Sequence, residues 1–453
     1  MNTSPRRTRH VIVLNHYAKP LSEPGGTRHV ELFGRLTGWD WTIIAGDRDV
    51  YSRRRFTDRE PHFVRVRVPA YTRNDHRRVL NWLGYSAGAL VHSVFRRRPA
   101  VVYASSPHIL APVAGWLAAT FWRVPFVLEI RDLWPESIVG TGYLRRGSPL
   151  HRLLSGLERW LYRRADRIVM VADGWRSYFR SLGIDEGKLV WVSNSAEPSA
   201  FALRHDRYTP LRDRLPVCGR LIVFAGAHGQ ANGLDELLDA AAELPEHTFA
   251  LIGDGIDKPR LVARARAEEL SNVHFLDMIP KAEFAGILGG ADVGVHVLAD
   301  AAVFRMGASP NKLYDYLAAG VPVVTNCPGE PHDIVRESDS GVAVEPGKLV
   351  VGLRELLERD PALLPEMGRR GRQFIAAHRS RTAMASRLQR VLDEVVAAPT
   401  PAGRNAALRL LRPRAARVEV RAKADDQPSS TRSNSDDNPE TGTNGSALPV
   451  STR

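Results

Sequence analysis

A doubly wound α/β architecture, built twice along the chain, is the fold class this sequence predicts. Three observations lead to it. Short apolar runs alternate with helically spaced segments through residues 1–199, the alternation breaks over 200–217, and it restarts to about residue 375. Strands covered by helices on both faces read as continuous apolar runs, which is the signature of parallel sheets. In such sheets ligands gather beyond the carboxyl ends of the strands, so two facing units place the natural site in the cleft between them.

The elements follow in order. VIVLN (11–15), WTIIAG (41–46), FVRVRV (63–68), VVYAS (101–105), FVLEI (126–130), RIVMVA (167–172) and LVWVS (189–193) have the length and composition of buried strands. A Gly25-Gly26 loop leads into a helix near His29, and segments 79–95, 109–122 and 150–164 carry helical periodicity. Residues 200–217 hold two prolines and many charges and read as a linker. Beyond it the strands are 220–226, 248–255, 273–279, 293–298, 322–326 and 341–346. Helices are expected at 233–244, 258–270, 281–290, 310–319 and 350–358. One last amphipathic helix covers 376–396, within a terminal segment 376–398. From 399 to 453 the chain is polar and rich in Ser, Thr, Asn and Pro, a composition that predicts a disordered tail.

Charge divides unevenly. The formal net charge is +13, but residues 1–200 hold 31 Lys and Arg against 17 Asp and Glu, and the remainder is close to neutral. A basic half suggests an anionic partner: nucleic acid, a membrane surface or a phosphorylated substrate. Two cysteines, Cys218 and Cys327, make no disulfide framework and favour a reducing compartment. The apolar run Val11–Leu14 is too short for a signal-peptide core, and the longest apolar run, Ile109–Trp122, too short for a membrane span. The expected location is cytoplasmic, with peripheral contact at the inner face of the membrane.

Four motifs bear on chemistry. Glycines at the strand-to-helix turn Gly25-Gly26 let backbone approach a phosphate, though most such pairs are plain turns, and the absence of GxGxxG argues against a dinucleotide here. FVLEIRDLWPES (126–137) puts Glu129, Arg131, Asp132 and Glu136 at a strand's carboxyl end; Arg131 could contact phosphate and Asp132 could orient or accept a proton. An Arg–Asp pair packed under Trp134 explains that motif equally well. IGDG (252–255) runs a strand into Gly253, Asp254 and Gly255, either against a ligand or as an ordinary turn. The sharpest is GASPNKLYDYLAAGVPVVTN (307–326). It reads as a helix with Ser309 as N-cap, Pro310 at the first position and Gly320 as the stop. Asn311, Lys312 and Asp315 then share a face in its first turns, which suits a nucleotide diphosphate: lysine and backbone N–H for phosphate, Asp315 for ribose hydroxyls. A well-capped surface helix accounts for Ser, Pro and Gly but not for Lys and Asp beside the cap. Asp47-Arg48-Asp49 has DxD spacing and reads as a turn offsetting local positive charge. Segment 76–98 is an apolar-faced helix bracketed by arginines, either core-packed or interfacial at an anionic membrane.

On GGTRHVELFGRL, the SSP turn at 105–107, EIRDLWPES, LIGDG and SPNKLYDYLAAGVPVV, the sequence resembles glycosyltransferase family 4, retaining nucleotide-sugar transferases of GT-B fold. The resemblance runs from about Val11 to Arg390. It is closest to the branch of O-antigen, capsule and exopolysaccharide transferases that includes N-acetylfucosamine-type enzymes. It implies a nucleotide-sugar donor, UDP-linked, on the second unit (218–375, Gly226 included) and a lipid-linked or glycan acceptor on the first (1–199). It also implies Lys312 at phosphate, Asp315 at ribose, Gly25 and Gly26 closing over the donor, and no metal or other cofactor. The chain departs from the family in three places. Gly307 stands where a carboxylate often precedes Asp315 by eight residues. His228 and Asn232 replace expected basic residues in loop 226–234. Arg131 stands where relatives carry histidine, so no catalytic base is assigned. The competing readings are a nucleotide-sugar 2-epimerase on the same scaffold and a non-catalytic basic module for anionic membrane or nucleic acid. Arginines scattered without a stacking-aromatic pattern disfavour nucleic acid.

Overall fold

The computed structural model describes residues 8–398, apart from positions 24, 51, 58–59, 72–75, 141 and 203–209; the tail expected over 399–453 lies outside the described residues. The apolar runs become strands β1 (Arg9–Leu14), β2 (Trp39–Gly46), β3 (Phe63–Val66), β4 (Val101–Ser105), β5 (Phe126–Ile130), β6 (Arg167–Met170) and β7 (Leu189–Trp191) in the first half. The second half supplies β8 (Leu221–Ala225), β9 (Thr248–Ile252), β10 (Val273–Leu276), β11 (Val293–His296), β12 (Val323–Thr325) and β13 (Gly341–Ala343). Two sheets result, ordered β3-β2-β1-β4-β5-β6-β7 and β10-β9-β8-β11-β12-β13. The ladders inside both are parallel, with Val11 opposite both Trp41 and Val101 and Phe224 opposite Leu251.

In each sheet the strand order reverses beside the first strand, β1 between β2 and β4, and β8 between β9 and β11. Such a reversal opens a crevice at the carboxyl edge. The loops after β1 and β8, which carry Gly25-Gly26 and Gly226, therefore start where a ligand can enter.

Alternate side chains bury both faces of the first sheet. Ile12, Leu14, Val102 and Leu128 pack with Tyr85, Ala118 and Leu161 of the helices His76–Val94, Leu110–Trp122 and Pro149–Arg164. Val11, Val13 and Tyr103 point the other way, toward Phe33 and toward Met384, Leu388 and Leu392. Those last three come from the far end of the chain. The helix expected over 376–396 is in fact two, Leu363–His378 and Arg381–Ala397. The break falls at Arg379-Ser380, where the Ser380 hydroxyl accepts from the Ala383 N–H (3.2 Å) and starts the second helix. The first of the pair buries Met367 and Ile375 in the second unit; the second crosses back and covers the first sheet. The segment read as a linker is likewise part of a core, since Phe201 and Leu211 are buried beside Val223 and Leu313.

The two units touch directly. The Asn194 N–H donates to Ser309 Oγ (3.0 Å), the Trp175 indole N–H donates to the Gly307 carbonyl (2.9 Å), and Val303 is buried within the first unit's core.

Candidate active site

Between the carboxyl edges of the two sheets lies a cavity of about 390 Å³. The first unit lines it with Gly25, Gly26, Thr27, Arg28, Glu31 and Arg131. The second lines it with Ala225, Gly226, Ala227, Asn232, Ile252, Gly253, Met278, Ile279, Phe284, Asn311, Lys312 and Asp315. Eight residues expected from sequence thus meet at one place: Gly25, Gly26, Arg131, Gly226, Gly253, Asn311, Lys312 and Asp315.

The helix Asn311–Ala319 sets three of them. Leu313, Tyr314, Tyr316 and Leu317 bury its inner face, and the Tyr316 hydroxyl accepts from the Ala225 N–H (2.6 Å), tying the helix to the end of β8. Asn311, Lys312 and Asp315 are left on the cavity side. The expected cap is corrected here. Pro310 occupies the N-cap position, and Ser309 bonds the Asn194 N–H and the Tyr314 hydroxyl (3.1 Å) instead of its own helix. The first-turn N–H groups therefore have no side-chain cap from their own helix, and they carry the positive end of its dipole. Gly320 closes the helix in the left-handed region as expected (φ +78°).

Lys312 is half-buried in the cavity wall. Its amine donates to the Asn232 amide oxygen and stands 4.1 Å from the centroid of the Phe224 ring. Desolvation pulls its pKa down to about 7. Asn232 is itself fixed by donating to the Ala227 carbonyl (2.7 Å). His228, in the same loop, is buried and its ring is held neutral, with a pKa near 4 set first by desolvation. It does not line the cavity.

The glycine turns are explained by close approach. A Cβ on Gly253 would lie 1.8 Å from the Gly226 carbonyl oxygen, and one on Gly255 2.2 Å from that of His228. Gly253 reaches the cavity; Gly255 packs under the loop. Asp254 is exposed and binds the Gly255 N–H (2.7 Å), outside the lining. Asp132 is outside it too. The residue is exposed, but the protein packed around its carboxyl desolvates it, and that raises its pKa against the pull of Arg131.

Sequence reasoning missed what lies under the glycine loop. Arg28 donates through Nε to Glu129 Oε1 (2.8 Å) and through its terminal nitrogens to the carbonyls of Ser193 and Val192 (2.6 Å each). His29 Nε2 meets Glu129 Oε2 at 2.7 Å, and Asn15 Nδ2 meets His29 Nδ1 at 2.8 Å. Burial alone would raise the Glu129 carboxyl, but His29 and Arg28 together hold it well below the usual range; desolvation lowers His29. The consistent arrangement is an ionised Glu129 paired with Arg28 and hydrogen-bonded by neutral His29. The available signal was a carboxylate inside the strand FVLEI and polar Thr27, Arg28 and His29 opening an apolar helix.

Asp47 and Asp49 behave as the charge-offsetting turn expected of them. Asp47 pairs with Arg55 (2.9 Å) and accepts from the Val68 N–H (3.0 Å), while Asp49 pairs with Lys19.

The comparisons with known proteins bear on this geometry. Residues 30–195 match the family model described as a glycosyl transferase 4-like domain, and residues 219–359 the one described as glycosyl transferases group 1. WbjE of Pseudomonas aeruginosa, named as a probable glycosyltransferase, is 26% identical over 241 residues, 51% of this chain and 57% of its own. WcaI of Escherichia coli (strain K12), named for colanic acid biosynthesis glycosyl transfer, is 24% identical over 261 residues, 55% of this chain and 62% of its own. The chain thus spans about three-fifths of the length of these two relatives. Among solved structures, Anabaena HepE in complex with UDP-glucose superposes with a TM-score of 0.63 at 15% identity, over 85% of this chain and 99% of that one.

Proposed function

From a chain that belongs to the glycosyltransferases, carrying a 4-like domain followed by a group 1 domain on the GT-B fold, we propose a retaining transferase of bacterial cell-surface polysaccharide synthesis. Its donor is a nucleotide-sugar, UDP-linked, as the complex of HepE suggests by likeness of fold. Its acceptor is a glycan or lipid-linked sugar met at the inner face of the membrane, where the enzyme is peripheral.

One observation carries this reading: Lys312, Asn311 and Asp315 of the second unit face Gly25, Gly26 and Arg131 of the first across a single cavity. Lys312, the uncapped N–H groups of its helix and Arg131 are placed to receive a departing diphosphate, while Asp315 accepts from ribose hydroxyls. In the proposed step the bond from the anomeric carbon to the diphosphate oxygen breaks. The acceptor hydroxyl oxygen bonds that carbon on the same face, and its proton leaves with the diphosphate. Fixed positive groups at the developing charge, together with positioning, supply the catalysis, and the scheme uses no cofactor.

The test is transfer of labelled sugar from a UDP-sugar panel to an undecaprenyl-diphosphate-linked glycan, with the product anomer read by NMR. Retention and loss of turnover in Lys312→Ala and Asp315→Ala are expected. Inversion would overturn the stereochemical assignment, intact turnover in both variants the residue assignment, and acceptor-independent epimerisation of the UDP-sugar the reaction class.

A further inference from the structure

The outer surface of the first unit's helix layer has a composition that packing does not explain. On the helix His76–Val94 the buried positions are Asn81, Tyr85, Ala89 and Ser93, so its core face is satisfied. Its solvent face nonetheless exposes Leu80 (52%), Leu83 (49%), Val91 (52%) and, just past its end, Phe95 (86%). The two neighbouring helices of the same layer add Phe121 (58%) and Leu153 (67%).

The charge on this layer has one sign. No Asp or Glu occurs between residues 76 and 128. On the helix Pro149–Arg164 the sole carboxylate, Glu158, is buried and takes the hydroxyls of Tyr162 (2.8 Å) and Tyr178 (3.0 Å). Arg96, Arg97, Arg98, Arg123, Arg159 and Arg163 are exposed, and none pairs with a carboxylate among the described residues. Arg159, Arg163 and Arg164 also line a shallow depression of about 600 Å³ beside Trp160. The second unit is different: Arg260 is answered by Asp235 (2.6 Å) and Asp257 (2.8 Å), and Arg264 by Glu268 (2.8 Å).

We propose that this helix layer is the surface on which the enzyme sits on an anionic lipid bilayer, its leucines and phenylalanines entering the acyl boundary and its arginines taking lipid phosphates. A bilayer satisfies both features at once, whereas a nucleic acid would leave the exposed aliphatic side chains in water. In a parallel sheet the connecting helices run antiparallel to the strands, so their N-terminal ends lie at the carboxyl edge. Leu80, Leu83 and Leu153 are therefore toward the cleft end, while Arg96–Arg98, Arg123, Arg159 and Arg163, with Phe95 and Phe121, are toward the opposite end, so the layer lies along the bilayer over its whole length. The lipid contact does not depend on the proposed acceptor being lipid-linked.

The experiment is co-sedimentation of the full chain with phosphatidylcholine vesicles, with and without phosphatidylglycerol, across a salt series. Wild type should partition onto the phosphatidylglycerol vesicles and be released by salt. The variant Arg159→Gln/Arg163→Gln/Arg164→Gln should bind about a hundredfold more weakly, at roughly fivefold per arginine near an anionic surface. The variant Leu80→Ser/Leu83→Ser/Phe95→Ser should be released at lower salt than wild type. Equal partition onto the two vesicle types, wild-type binding by both variants, or preference for a DNA duplex over vesicles would overturn the proposal. Thermal shift by UDP and transfer to a water-soluble acceptor, run on the same proteins, separate the two readings. Lost vesicle binding with intact transfer condemns the surface alone, and intact vesicle binding without transfer condemns the reaction alone.

Discussion

The amine of Lys312 is held by the neutral amide oxygen of Asn232, and among the described residues no carboxylate pairs with it. A half-buried cation without a counter-ion is costly to desolvate, and the lowered pKa, about 7, expresses that cost. A donor diphosphate would supply the missing charge and raise the pKa. UDP binding should therefore take up a proton, most strongly above pH 7, and affinity should weaken as pH rises through that value. Calorimetry in buffers of different ionisation enthalpy measures the uptake; a buffer-independent enthalpy at pH 8 would sink the idea. The stability sign is the reverse of the usual paired lysine. Between pH 7 and the ordinary lysine range the unfolded chain binds a proton that the folded one does not, so this group adds stability as pH rises. Lys312→Met should then melt no lower than wild type at pH 6.5 while transfer falls about a hundredfold or more, the scale of losing one preorganised donor to developing charge.

Glu129 carries the opposite expectation. Its carboxylate is fully buried and answered by Arg28 (2.8 Å) and His29 (2.7 Å), so replacing it strands a buried guanidinium. Glu129→Ala should cost about 3–5 kcal/mol, the range for breaking a buried pair from one side, read as a shift in denaturant midpoint at constant slope. Because the folded carboxyl lies well below its ordinary range, this stabilisation is in place above that range. It is lost only as pH falls through the depressed value. A mutant as stable as wild type at pH 7 would show the network to be ornamental.

Two glycines of the cleft should answer substitution differently. Gly25 sits at φ +68° with nothing within 4 Å of an added Cβ, so Gly25→Ala meets only the left-handed backbone penalty, about 1–2 kcal/mol. Gly253 would place its Cβ 1.8 Å from the Gly226 carbonyl and must push the loop that lies against Lys312. Gly253→Ala should lose most UDP affinity, while Gly25→Ala keeps it within severalfold, both compared by equilibrium binding. Similar affinities for the two would contradict this account of the turn.

Much of this was legible in the sequence because parallel strands announce themselves. VIVL, IIAG and LIVFA are buried on both faces, so composition alone gave the elements, and their order gave the switch points. The cavity face of Asn311, Lys312 and Asp315 was legible too, since three- and four-residue spacing fixes which side chains share a helix face. What stayed hidden depends on partners distant along the chain. Glu129 meets residues a hundred positions away, and Ser309 gives up the capping role its position suggests because Asn194 of the other unit competes for its hydroxyl. The helix Arg381–Ala397 shows the same limit. Its periodicity declares an apolar face but not which sheet that face will cover.

That helix provides the last expectation. Met384, Leu388 and Leu392 are fully buried against Val11, Val13 and Tyr103 of the first sheet, so the end of the chain completes a core begun at its start. Arg381 adds an ion pair to Glu31 (3.0 Å) at the edge of the cavity. Leu388→Ala and Leu392→Ala should each cost about 2–5 kcal/mol, the transfer loss plus the cavity left behind. The damage should appear in the first unit. Hydrogen exchange should accelerate in β1 and β4 before it does in β8 and β9, although the substitutions follow the second unit in sequence. Exchange that rose first in β8 and β9 would mean that the crossing helix stabilises the unit it leaves rather than the one it joins.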